Sequence, residues 1–335
     1  MFDNLIAGVS SKTYHKMKNN NYSLNASNRG LLTLDELIHE HRYVDLLSDV
    51  GFKYVFGRPA NKEILIAFLN AVIQDKNIVD LQYLRNEHSP TNINTKKSLF
   101  DLYCKTDDGS RIIVEMQKDG QNAYINRALY YGILPIMEQV EAGNKWYTFD
   151  PVYSINILDF ELFYKHPTDD ILSTYRLKEL YRNDVLTEDF TMIFIELPKF
   201  KKELKELDRN NILENFYFCL KFINQHKDLP DSLSYGIFEK LFKAAEVAAM
   251  TPEEKINYLK EMNTERDRRN QLEYKLQQGI QQGIQQGLED GLKKGLEQGR
   301  FEQKIITAKK LKDNGITPDI IADCTGLSLE EIAAL

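Results

Sequence analysis

Cysteine is scarce in this sequence. Cys104, Cys219 and Cys324 lie far apart along 335 positions, which excludes a disulfide framework and a cysteine-rich zinc cluster. Histidine is nearly as thin. The six histidines include a His39-Glu40-His41 run but no HExxH pattern, so a zinc-hydrolase helix is not indicated and the run reads as a solvated helix face. No apolar stretch is long enough to span a bilayer. The first residues, MFDNLIAGVSSKTYHK, lack the order of regions of a secretory signal. The expectation is a reducing cytoplasmic setting without a membrane partner. Surplus positive charge is also missing. A net charge of −7 argues against a broadly cationic nucleic-acid binder and leaves any phosphate handling to local groups. Those on offer are Lys96, Lys97, Arg111, Lys118, Arg127 and the KFKKELK run from Lys199 to Lys205, each of which reads first as solvated surface.

What is present begins with core material. With 42% hydrophobic residues, the chain can bury one large domain and a smaller helical one. The most informative stretch is LFDLYCKTDDGSRIIVEMQK, from Leu99 to Lys118. Two runs rich in β-branched and aromatic residues, Ser98 to Lys105 and Arg111 to Lys118, flank a polar TDDGS turn, the signature of a hairpin. A three-residue loop, Asp107-Asp108-Gly109, puts Gly109 in the left-handed position and makes a bulge. Thr106 then faces Ser110, Asp101 faces Glu115, and Leu99 faces Gln117. Opposed residues share a face with Cβ atoms roughly 4.5–5.5 Å apart, so one divalent cation can take both carboxylates. A two-residue Asp-Gly loop instead puts Met116 opposite Asp101 and sends Glu115 to the other face. Loop length therefore decides between a metal pair and ordinary strand charges. Phe100, Leu102, Cys104, Ile112, Val114 and Met116 form one apolar face, while Leu99, Tyr103 and Ile113 surround the acids on the other. Ionised carboxylates in a sheet buried on both sides are costly unless paired or metal-bound.

Around the hairpin the pattern is mixed. Asn61 to Gln74 carries Ile64, Leu65, Phe68, Leu69 and Val72 at helical spacing. Ile78 to Leu84 reads as a strand. The AYINRALYYGILPIMEQVE segment reads as a helix with a kink at Pro135. VYSINILDFELF and FTMIFIELPKF alternate like strands. This order implies a mixed α/β layer, and from Asn211 to about Glu273 the chain reads as helices. Next comes a ladder, QQGIQQGIQQGLEDGLKKGLEQGR, with glycine at 279, 283, 287, 291, 295 and 299. As a helix it costs about 1 kcal/mol per glycine relative to alanine, which calls for an offsetting contact such as a close partner helix. A four-residue step exceeds 3.6 per turn, so the stripe drifts in the sense of a right-handed crossing. The final segment carries caps at Asn314-Gly315, Thr317-Pro318 and Ser328 with Glu331. Its last helix offers Glu330 and Glu331 rather than base-reading side chains, so a packing module fits better than a DNA-reading one.

Taken together, SDVGFKYVFG, NKEILIAFLNAVI, FDLYCKTDDGSRIIVEMQ, NRALYYGILPIMEQVEAGNKW, PVYSINILDF and IELPKF, in this order, resemble the PD-(D/E)XK nuclease family transposases, also described as recombination-promoting nucleases. The glycine ladder and the terminal IADCTGLSLEEI are similar to the usual tail of that family, so the resemblance runs from about Tyr43 to Leu335. It implies a restriction-endonuclease-like mixed sheet flanked by helices, and Mg²⁺-dependent DNA endonuclease activity in which Mn²⁺ can substitute. In the family pattern Asp101 and Glu115 are the acids of the two motifs, and Gln117 stands where a lysine is usual. A glutamine there orients water and donates hydrogen bonds, whereas a lysine supplies charge to a developing phosphorane. Glutamine at this position is typical of the recombination-promoting subset.

The implied metal ligands are Asp101, Glu115 and the Met116 carbonyl, with Glu63 either an accessory acid or a helix-surface charge. The implied DNA contacts are Lys53, Arg111, Lys118, Arg127 and Tyr131, although Tyr131 reads equally as a buried hydrogen-bonding tyrosine. Asp49, Phe52 and Lys53 match the N-terminal motif, with no role derivable for Asp49. The expected organisation is a partly disordered arm over 1–43, a nuclease-like domain over 44–200, and a helical region over 201–269. A glycine-ladder helix over 270–301 and a small helical module over 302–335 complete it. DNA and a second copy of the chain, held through the ladder, are the expected partners. The competing expectation is a non-catalytic interaction protein that keeps the nuclease fold and self-associates through its C-terminal helices.

Overall fold

The computed structural model describes residues 32–85, 87–88, 98–120, 123–140, 147–162 and 168–335. Residues 1–31 of the expected arm, and Lys96 and Lys97, lie outside these. Two compact units divide the chain, 1–264 and 265–335.

The first unit opens with three helices whose starts are set by local chemistry. Helix α1, Leu34–Glu40, begins at a capping box between Thr33 and Glu36, which satisfies backbone donors at both residues. Helix α2, Asp49–Phe56, is capped by the Ser48 hydroxyl, which accepts from the Gly51 N–H. Helix α3, Lys62–Val72, buries Ile64, Leu65, Phe68, Leu69 and Val72, the apolar stripe that helical spacing predicts. Phe52, Phe56 and Phe68 stack in succession, with centroids 4.9 and 5.8 Å apart.

Among the described residues eight strands follow in chain order. They are β1 Leu81–Tyr83, β2 Glu87–His88, β3 Ser98–Leu99, β4 Leu102–Thr106, β5 Arg111–Gln117, β6 Val152–Leu158, β7 Leu172–Tyr175 and β8 Phe190–Glu196. Six of them make one sheet in the order β1-β4-β5-β6-β8-β7, and β2 pairs with β3 separately. The β1-β4-β5 side is antiparallel, β5-β6-β8 is parallel, and β7 closes the edge antiparallel to β8. The parallel β5-to-β6 connection needs a crossover, supplied by helix α4, Tyr124–Gln139.

Side-chain alternation sorts the sheet into two faces. Leu102, Cys104, Ile112, Val114, Tyr153, Ile155 and Ile193 join the main core with α2, α3, helix α5 (Ile212–Phe222) and helix α6 (Gly236–Ala244). On the opposite face Tyr103 and Ile113 pack with Tyr131 and Leu134 of α4, and Leu158 and Phe194 pack with Tyr124 and Ala128.

Four local expectations differ from the structure. The first hairpin run is broken: β4 starts only at Leu102, and Leu99 pairs with Glu87 instead of Gln117. The break turns Phe100 over, so that it packs with Tyr103 and Ile113 rather than with Leu102 and Cys104. The strand from Val152 stops at Leu158, with residues 159–162 outside it, while Phe163 of the expected strand lies outside the described residues. The edge strand β7 has no counterpart in the sequence reading, because Leu172–Tyr175 is too short and too exposed to alternate visibly. Pro135 is buried within α4, which runs from Tyr124 to Gln139.

Helix α7, Pro252–Asp313, is continuous over 62 residues and crosses from the first unit into the second. In the second unit a Cβ added at Gly279, Gly283, Gly287, Gly291, Gly295 or Gly299 meets no described atom within 4 Å. The neighbouring Ile280, Ile284, Leu288, Leu292 and Leu296 are all more than half exposed. Helix α8, Pro318–Thr325, and helix α9, Leu329–Ala333, pack Ile321, Leu327 and Ile332 against Ala308. Among the described residues no helix is long and apolar enough to cross a membrane.

Candidate functional site

The hairpin loop sets the site's register. Gly109 has φ of +92°, and the Thr106 N–H donates to the Ser110 carbonyl at 2.9 Å, the three-residue loop of the sequence reading. The Asp108 carboxylate holds it closed by accepting from the Thr106 hydroxyl at 2.6 Å and the Ser110 N–H at 3.1 Å. Pairing then runs Lys105 with Arg111, Cys104 with Ile112, Tyr103 with Ile113 and Leu102 with Val114. The next step brings Asp101 to Glu115.

That step is where the ladder gives way to side chains. Hydrogen-bonded pairs alternate along an antiparallel ribbon, so the Met116 N–H falls due to bond the strand opposite. It donates instead to the Asp101 carboxylate, at 2.8 Å, while the Asp101 N–H donates to Glu115 Oε1 at 3.3 Å. The β6-facing groups of β5 belong to odd residues, since the Arg111 N–H reaches the Pro151 carbonyl and the Gln117 carbonyl accepts from the Asp159 N–H. The Met116 carbonyl therefore points the other way, toward Asp101.

Both acids are withdrawn from water. The Asp101 side chain is 15% exposed and Glu115 is 7% exposed. Burial pushes the Asp101 carboxyl above the usual range, against the lowering effects of Lys53 and the Met116 N–H. Burial, reinforced by the Asp101 charge, pushes Glu115 well above its ordinary value. A pair that resists carrying two negative charges is partly compensated by Lys53, whose Nζ lies 3.2 Å from Asp101 Oδ1 and 2.5 Å from Asp49 Oδ1. Burial works against the Lys53 charge, but Asp101 and Asp49 outweigh it and raise its pKa.

The rest of the face is polar and bonded. Asn156, fully buried in β6, is the strand partner of Glu115 and accepts from the Tyr124 hydroxyl at 3.1 Å. The Arg127 guanidinium donates to Oε1 of the Gln117 side-chain amide, and it lies 4.9 Å from the Tyr124 ring centroid and 5.9 Å from that of Tyr131. The other end of the Gln117 amide donates to the Asp119 carbonyl at 3.2 Å. Gln117 is thus bonded to Arg127 and to the following turn.

The structure therefore gathers Asp101, Glu115, Met116, Gln117, Lys53 and Arg127. Glu63, Lys118 and Arg111 are paired elsewhere, and Tyr131 stands beside Arg127. Glu63 is more than half exposed and pairs with Lys240 of α6 at 2.5 Å. Among the described residues no group of three or more His, Cys, Asp or Glu side chains is placed to hold a metal ion. Lys118 pairs with Asp45 at 2.9 Å, and Arg111, at the far end of β5, bonds the Tyr103 hydroxyl at 2.7 Å and Glu138 at 3.3 Å. Tyr131 packs edge-on against Phe100, centroids 5.8 Å apart, as a half-buried core ring. Asp49, which the sequence left without a role, is the helical carboxylate linked to Asp101, through Lys53. The signal for it is the i,i+4 spacing of Asp49 and Lys53. Two buried carboxylates and one backbone carbonyl make an oxygen set of the kind that hard divalent cations take, and the Lys53 ammonium is already drawn to it.

Neither a curated protein nor a solved structure matches this chain. The family model for PD-(D/E)XK nuclease family transposases matches residues 46–275. The match includes α2, the hairpin, α4 and the whole six-stranded sheet. It stops before Gly279, so the ladder and the terminal module, which the sequence reading also assigned to the family's tail, fall outside it. A mixed sheet flanked by helices, with a paired aspartate and glutamate on one hairpin, agrees with that match, and the chain belongs to the PD-(D/E)XK nuclease family transposases.

Proposed function

We propose that the chain is a Mg²⁺-dependent DNA endonuclease, with Mn²⁺ able to substitute, and that the buried Asp101–Glu115 pair is its catalytic centre. The observation that carries this reading is the register of the hairpin. It sets two carboxylates and the Met116 carbonyl together in a place where burial alone disfavours both charges. Asp101, Glu115 and the Met116 carbonyl would hold the ion. Such an ion, when bound, makes a water more acidic and withdraws charge from the scissile phosphate.

The protein's own part is orientation. Asp101 is fixed by the Met116 N–H, and Glu115 by the Asp101 N–H. Gln117, the residue expected to position water, holds the Arg127 guanidinium, leaving Arg127 as the cationic contact for a phosphate on the α4 side. Arg111 and Lys118 are tied to Glu138 and Asp45, so DNA contacts are assigned to Arg127 and Lys53 before them. Glu63 is left out of the ligand set.

Purified protein tests this on supercoiled plasmid. Nicking is expected with Mg²⁺ or Mn²⁺ and is lost in EDTA and in Asp101→Ala. Equal nicking by wild type and Asp101→Ala would assign the activity to a contaminant and remove the catalytic claim. A second reading draws on the ladder, whose Ile and Leu stripe is more than half exposed and whose glycines have open space beside them among the described residues. There the protein is an assembly module that self-associates through α7 without cutting. Association with no metal-dependent nicking selects that reading, and association together with nicking joins the two.

A further inference from the structure

Position 117 of β5 holds a glutamine, as in the recombination-promoting subset and in place of the lysine usual elsewhere in the fold, and that amide is bonded to Arg127 at one end and to the Asp119 carbonyl at the other. Their own hairpin thereby brings the two buried carboxylates no cation, and Arg127 of α4 bears on Glu115. The nearest ammonium comes from a different element. Lys53, one turn after Asp49 on α2, has its Nζ 3.2 Å from Asp101 Oδ1. A surface i,i+4 pair with Asp49 alone needs no such reach. Lys53 is 30% exposed at its side chain and extends to an aspartate that is only 15% exposed.

Resting on the metal-dependent reading above, we propose that Lys53 supplies from α2 the fixed positive charge that position 117 of β5 does not supply. It is a positioning residue for Asp101. It partly neutralises the carboxylate pair before a divalent cation arrives, and its charge would then be available to a phosphodiester. The geometry has one direct consequence. A positive charge 3.2 Å from a ligand oxygen competes with a divalent cation, so deleting it tightens metal binding, whereas a lysine that only staples α2 leaves metal binding alone.

The experiment is a Mn²⁺ titration of the full chain by electron paramagnetic resonance, with thermal melts to confirm folding. The proteins compared are wild type, Lys53→Met, Lys53→Gln, Lys53→Arg, and Lys53→Met combined with Gln117→Lys. The neutral variants are expected to bind Mn²⁺ about tenfold more tightly, Lys53→Arg to match wild type, and the double variant to return toward wild type. Affinity within twofold of wild type in both neutral variants, or no Mn²⁺ binding by any folded protein, overturns the proposal. Single-turnover cleavage at saturating Mn²⁺ reads the other half. Lys53→Met is expected to lose roughly a hundredfold, and Gln117→Lys in that background to recover most of it. A wild type that binds Mn²⁺ but never cuts overturns the nuclease reading, and the titration still decides for or against Lys53.

Discussion

At the scale of single residues, the acid pair carries a stability cost that can be measured without any substrate. The net effect of the surroundings on Asp101 and Glu115 is upward, even with Lys53, Arg127 and two backbone N–H groups counted. Between the ordinary carboxylate range and these raised values, the folded chain binds more protons than the unfolded chain, so this pair's contribution to stability grows as pH falls. Asp101→Asn keeps an acceptor for the Met116 N–H and removes one of the two charges. In metal-free buffer the variant is expected to melt above wild type by about 3 °C near pH 8, the shift that roughly 1 kcal/mol gives a domain of this size. The gap should close as pH is lowered. Calorimetry showing the variant less stable at every pH would mean that Asp101 works mainly as a structural ion-pair partner. Asp101 and Glu115 were legible in the sequence because a three-residue loop ending in glycine fixes a register. The Asp49–Lys53–Asp101 chain was not, because it joins a helix to a strand across some fifty residues and no local spacing reports that contact.

Single elements hold the site through close approaches that the sequence shows only as small residues. A Cβ at Gly51 would sit 2.1 Å from the Asp45 carbonyl oxygen and 2.7 Å from the Ser48 hydroxyl, so α2 can start against this turn only with glycine there. Gly51→Ala is expected to cost about 1–3 kcal/mol and to displace the helix that carries Asp49 and Lys53. A lower melting temperature together with Mn²⁺ affinity altered in the direction of Lys53→Met would show both effects, and a melt unchanged from wild type would mean that the turn absorbs the methyl group. The hairpin makes a second case. The Asp108 carboxyl lies below its usual range: burial opposes that shift, and the Lys76 ammonium, the Thr106 hydroxyl and the Ser110 N–H outweigh it. Its contribution to stability is therefore present above the ordinary carboxylate range and is lost as pH falls through and below it. Asp108→Asn should lower the melting temperature at neutral pH, and by less in acid. Helices α3 and α4 and the central strands were readable from apolar period, since each buries a stripe or a whole face. The β4 break, the early end of β6 and the edge strand β7 were not. Their causes are a carboxylate replacing a ladder bond, a bend after Leu158, and a pairing partner seventeen or more residues away.

For the whole molecule the open question posed by the sequence is the ladder. Six glycines in one continuous helix forgo about 1 kcal/mol each relative to alanine, and within the described chain nothing approaches them closely enough to need the space. Among the described residues an offsetting contact is thus missing just where Ile280, Ile284, Leu288, Leu292 and Leu296 are exposed. On the proposal that a second copy fills this space, two copies of the acid pair serve one duplex, as cutting both strands requires. The chain alone and the assembly then respond oppositely to one substitution. Replacing Gly283, Gly287 and Gly291 with alanine should raise helix stability in dilute protein by up to about 3 kcal/mol, while weakening self-association, because each added methyl group holds the partner backbone away. Gly287→Leu should weaken association more than Gln285→Leu. Sedimentation at micromolar concentration, read beside far-ultraviolet circular dichroism, separates the two effects. A wild type that sediments as a monomer, or an association that survives the triple alanine variant, would make the ladder a spacer helix whose glycines answer to no partner.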